Sequence, residues 1–72
     1  MSPRSLILII MMYIKKYGVE SHLNYIGETR QHYLEHLLGR INFILFINPK
    51  DTEMRGYYDF LKSILLSYKR DI

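Results

Sequence analysis

Gly27 restricts the fold of this chain more than any other residue. Leu23 and Ile26, three residues apart, lead into it, and a second pattern leads away through Tyr33, Leu34, Leu37 and Leu38. Spacings of three and four mark one face of a helix. A sharp link between two packed helices commonly needs a residue at positive φ, which glycine adopts without steric cost. The expected arrangement is a short helix over about residues 21–26, a turn at Gly27-Glu28, and a second helix over about 29–38. Thr29 is expected to cap that second helix through its hydroxyl, and Gly39 to end it. Arg30, Gln31 and His32 follow Thr29 at once, in the turn that points outward.

Seventy-two residues allow one domain, with a core too small to leave much surplus stability unless something staples it. Cysteine is absent, which removes disulfides and most structural zinc sites. His32 and His36 stand at i, i+4, a spacing that can hold a metal, but no carboxylate surrounds them as in a zinc protease. Neither a metal nor a cofactor is expected. Self-association is the favoured source of the missing stability, and seven tyrosines with three phenylalanines suit a small core and an oligomer interface. A net charge of +3 and a pI near 9.3 permit nucleic-acid binding without demanding it. The apolar run 6–14 falls well short of the ~20 residues a membrane helix requires. Lys15-Lys16-Tyr17 follows it where a signal peptide would carry small residues. No membrane partner is expected, and the expected location is cytoplasmic.

Ser2-Pro3 pairs a capping hydroxyl with proline at the first helical position. Lys15-Lys16 followed by Gly18 supplies a cationic last turn and a glycine stop. The face Leu6, Ile9, Ile10, Tyr13, Ile14 and Tyr17 of this first helix is expected to be buried. Ile7, Leu8, Met11 and Met12 make it apolar on most sides, which implies cover from more than one direction, a second subunit included. Beyond Gly39, the run 41–47 is short, β-branched and aromatic, and it stops at Asn48-Pro49. Those signs favour a strand, with Asn48-Pro49-Lys50-Asp51 as a turn. From about Asp51 or Thr52, the residues Met54, Tyr57, Tyr58, Leu61, Ile64, Leu65 and Tyr68 share one face of a long helix. In a second reading a short return strand comes first and the helix starts near Gly56. The order helix, helix, helix, strand, helix is mainly α and is that of a winged helix-turn-helix with a short strand or reduced wing and an added C-terminal helix.

Three segments carry a family resemblance: Leu6-Ile7-Leu8-Ile9-Ile10 with Tyr13-Ile14 before a glycine, the stretch from Thr29 through Leu38, and Gly56 followed by Asp59-Phe60-Leu61-Lys62. In these the chain resembles the small archaeal winged-helix DNA-binding proteins, among them crenarchaeal chromatin proteins and regulators of crenarchaeal viruses. It departs from their pattern at Glu28, at Leu23 and in its reduced wing. The resemblance implies a nucleoid-associated, homodimeric transcriptional regulator that binds double-stranded DNA sequence-specifically and dimerises through the helix over about 52–70. It sets the third helix in the major groove, where Arg30 donates to guanine and Gln31 pairs with adenine. His32 and His36 would touch phosphate or base edges, and Thr29 would add a phosphate contact to its capping role. Lys15, Lys16, Arg40 and Lys50 are the expected phosphate contacts, which position without reading sequence. Lys62, Lys69 and Arg70 are assigned to a solvated face. No small-molecule ligand is expected.

Catalysis is not expected, because the chain has no cysteine nucleophile, no glycine-rich phosphate loop and no cluster of carboxylates. Tyr25-Ile26-Gly27 with Arg30 matches only a fragment of a GIY-YIG nuclease. The alternative function is a protein–protein interaction module in which the same helices bind a partner and touch no DNA. A small membrane-associated protein, partitioning through residues 6–14, is the third.

Overall fold

The computed structural model describes residues 1–70, without the side chains of Tyr25, Tyr68, Lys69 and Arg70. The expected burial of Tyr68 and the solvated Lys69 and Arg70 therefore lie outside the described residues. Four helices follow one another: α1 (Pro3–Tyr17), α2 (Val19–Ile26), α3 (Arg30–Ile47) and α4 (Thr52–Arg70). No helix among the described residues is long and apolar enough to cross a membrane.

Helix α1 starts as its sequence dictates. The Ser5 amide donates to Ser2 Oγ at 3.1 Å, and Pro3 occupies the first turn, where its missing N–H costs nothing. Gly18, at φ 91°, ends α1 and leads directly into α2, so the second helix begins two residues before the expected Ser21. The buried residues of α1 are Ile7, Met11 and Ile14, of which Ile14 alone belongs to the expected stripe; Ile9 and Tyr17 are exposed, and Leu6, Ile10 and Tyr13 are half-covered. A helix apolar on most sides carries almost no information about its own rotation, so the packing partner sets it.

The main difference from expectation lies in α3. It runs for 18 residues straight through Gly39, and the segment 41–47 is helix, not strand. Among the described residues there is no strand and so no wing. The inward residues Leu34, Leu37, Leu38, Ile41, Ile44 and Leu45 keep helical spacing across Gly39. Burying that unbroken stripe outweighs the small intrinsic preference of β-branched residues for strands. The four residues 48–51 then turn the chain directly into α4, with the Asp51 amide donating to the Asn48 carbonyl at 3.1 Å. Asp51 caps α4 by accepting from the Met54 amide at 3.2 Å.

The α3–α4 hairpin forms the larger half of the core, closed by Met54, Leu61 and Leu65 from α4, and α1 lays Ile7, Met11 and Ile14 on its other side. Tyr57, Tyr58 and Ile64 pack partly buried at its edge. A cation near the start of the first helix ties it to this hairpin. Arg4 Nε donates to Asp51 Oδ2 at 2.8 Å, and its Nη2 donates to Glu53 Oε1 at 2.7 Å.

Candidate functional site

The bend before α3 has the geometry that its glycine dictates. Gly27 takes φ 72° and ψ 26°, the left-handed conformation, and its amide donates to the Leu23 carbonyl at 2.8 Å to close α2. Glu28 and Thr29 complete a three-residue link, and Thr29 enters α3 with extended backbone while its carbonyl accepts from the Tyr33 amide at 3.0 Å. The Thr29 hydroxyl makes no capping bond, contrary to expectation. That side chain is exposed, and there water competes for it and a cap is worth only about 1 kcal/mol.

Rotation of α3 about its own axis is fixed by an aromatic cluster at the junction of three helices. His22 of α2 and Tyr33 of α3 are joined by a 2.6 Å Nε2–Oη hydrogen bond. The Tyr13 ring of α1 stands 5.2 Å from the imidazole. Burial lowers the pKa of His22 and raises that of Tyr33, so both stay neutral near pH 7. With Tyr33 turned inward and Leu34, Leu37 and Leu38 in the core, Gln31, His32, Glu35, His36 and Arg40 lie on the outside of α3.

These outward residues are ordered among themselves. Arg40 Nε donates to His36 Nε2 at 2.8 Å, so the proton of that imidazole sits on Nδ1. Gln31 Nε2 donates to Glu35 Oε1 at 3.4 Å. An open groove of about 290 Å³ runs beside them, lined by Ile26, Glu28, His32, Tyr33 and His36. Arg30 forms an ion pair with Glu20 of α2, which draws its guanidinium back across the bend. No group of three or more histidine or acidic side chains able to hold a metal occurs among the described residues.

Thr29, Arg30, Gln31, His32 and His36 thus share the N-terminal half of α3 and its approach, and Arg40 follows one turn beyond His36, in the C-terminal half. The remaining expected cations are elsewhere. Lys50 lies in the turn after α3, and 18 helical residues span about 27 Å, so it stands at the opposite end from Arg30. Lys15 lies over the Tyr57 ring of α4 at 5.0 Å, and Lys16 over Tyr17 at 5.2 Å. Sequence reasoning missed the Glu20–Arg30 and His22–Tyr33 pairs. Both join different helices, and no spacing rule reaches across a bend. The Gln31/Glu35 and His36/Arg40 pairs were open to discovery through their i, i+4 spacing.

Comparison of the chain with protein-family models, curated proteins and solved structures gave no match.

Proposed function

We propose that the outward N-terminal half of α3 enters the major groove of double-stranded DNA, and that the chain is a small homodimeric, sequence-specific regulator of transcription. The observation that carries this reading is the bend at Gly27 followed by a helix whose rotation is locked from behind while its polar face is turned to solvent. A rigid helix with a short preceding helix across its back is what major-groove reading requires. The wing is not part of the proposal, since residues 41–47 continue α3. Gln31 and His32 are the base-reading side chains nearest the helix start; Arg30 joins them by exchanging Glu20 for guanine. Arg40 and the Nδ1–H of His36 contact phosphate.

Selection of bound sequences from random duplexes, followed by salt titration of the best one, tests this. Arg40→Ala is expected to weaken binding equally on all sequences and to flatten the log–log salt slope by about one unit. Gln31→Ala is expected to relax preference at a single base pair, by roughly 1–3 kcal/mol. Binding that ignores salt and both substitutions would remove the proposed surface. The second reading, a protein-interaction module, is favoured by the exposed Phe43, Phe46 and Ile47, and it predicts no duplex binding at any salt.

A further inference from the structure

The last two turns of α3 are apolar on most sides, broken only by the exposed Asn42 after Arg40. Ile41, Ile44 and Leu45 fill the core on one side, while Phe43, Phe46 and Ile47 remain 58%, 85% and 67% exposed on the other. A helix apolar on two faces is expected to be covered on both. Beside this outward face lies an apolar groove of about 250 Å³, bounded by Pro3 and Arg4 of α1, by Phe43, Ile44 and Ile47 of α3, and by Asp51. A cavity of about 150 Å³ already accepts a benzene ring, so the groove has room for a phenyl group.

We propose that this face is the seam of a homodimer, in which the outward C-terminal half of α3 packs on the same half of a second copy. Two-fold pairing requires a patch that complements itself, and here protruding aromatic rings and a groove that fits one lie side by side. Charge points to the same occupant. The chain carries +3 overall, yet the ionic groups lining the groove are Arg4 and Asp51, and Arg4 is paired to both Asp51 and Glu53. The groove itself thus offers no unpaired field of one sign to an acidic or basic partner, and a second copy brings the same internally paired groups to it. Aromatic side chains bury roughly 150–250 Å² each, so the two phenylalanines supply roughly 200–350 Å², a quarter to two-fifths of the ~800 Å² a standard interface takes from each partner. Ile47 and Pro3, which line the groove, extend the same surface. Helix α4 offers no equivalent: its inner face is taken by α3, and outward Arg55, Asp59 and Lys62 interrupt the half-exposed Phe60 and Leu66.

The seam stands on the apolar face alone and is independent of the DNA reading. Sedimentation equilibrium of the full chain without nucleic acid, over a hundredfold range of concentration, tests it. The wild type is expected at twice the 8.7 kDa chain mass. Phe46→Glu is expected to raise the dissociation constant by more than about tenfold while Phe46→Leu largely retains the dimer. Both should keep the wild-type helical circular dichroism, since Phe46 makes little contact within its own chain. Leu66→Glu on α4 is expected to leave the dimer intact. A wild type that stays monomeric throughout overturns the proposal, whether or not it sediments with phospholipid vesicles. So does a dimer that Phe46→Glu leaves unchanged, or one that only Leu66→Glu dissociates.

Discussion

His22 holds α2 against α3 at the cost of a polar atom with no hydrogen-bond partner among the described residues. The side chain is 8% exposed, its Nε2 is joined to Tyr33 Oη, and its Nδ1 is buried without a partner. Burial lowers its pKa from the ordinary 6.5, because a charged imidazole would lose its hydration there. As pH falls through about 6.5 the unfolded chain takes up a proton that the folded chain refuses until a lower pH. Stability from this site is therefore complete above the unfolded value and declines between the two. Thermal unfolding from about pH 7.5 to 5 should show this decline in the wild type, and His22→Gln should lack it; a decline that survives the substitution assigns the proton to another group. Gly27 gives a second prediction at this scale. A Cβ there meets no atom within 4 Å, so Gly27→Ala introduces backbone strain at φ +72° and no clash. The expected loss is roughly 1–2 kcal/mol by denaturant titration, and an unchanged midpoint would mean that the bend does not use a left-handed residue.

Helices α3 and α4 show how far local sequence reaches. The long C-terminal helix was legible because its apolar spacing runs unbroken from Met54 to Leu65, and Asp51 stands where a cap belongs. The bend at Gly27 was legible for a similar reason: one glycine separates two periodic patterns. The continuation of α3 was present as the stripe Leu34, Leu37, Leu38, Ile41, Ile44 and Leu45, but Gly39 and the β-branched residues after it read locally as a stop and a strand. Composition decides such short apolar runs poorly, because buried helix and buried strand use the same residues. For α1 the missing information was the rotation, which only its neighbours supply. Within the candidate site, the pairs along one helix could be read, and those crossing the bend could not. The continuous α3 carries its own prediction. A Cβ at Gly39 meets nothing within 4 Å, so Gly39→Ala should stabilise the chain by roughly 0.5–1 kcal/mol. That corresponds to a rise in Tm of about 2–8 °C for a domain of this size. A fall in Tm would place Gly39 at a helix end after all.

Acid places the whole molecule under strain at two points that share no residue. His22 governs the junction of α1, α2 and α3, and Arg4 governs the attachment of α1 to the α3–α4 turn. Asp51 is held below the usual carboxylate range, first by its hydrogen bond from Arg4 and then by the Met54 amide that it caps. A depressed carboxylate stabilises the fold fully above its unfolded pKa of about 3.8 and loses that contribution as pH falls from there through the lower folded value. The His22 decline begins near 6.5, so the stability profile should descend in two limbs, the upper from the imidazole and the lower from the carboxylate. Arg4→Gln removes the largest cause of the Asp51 shift and should flatten the lower limb while leaving the upper one in place. His22→Gln should do the reverse. Because the two sites have no common partner, the double variant should lose the upper limb and keep only the part of the lower one that the Met54 amide supports, with effects that add. Urea midpoints taken between pH 8 and about 2 would show this. A lower limb undiminished in Arg4→Gln would mean that Arg4 does not tie the first helix to the last through Asp51, and α1 would then be held to α4 by its apolar face and by Lys15 over the Tyr57 ring.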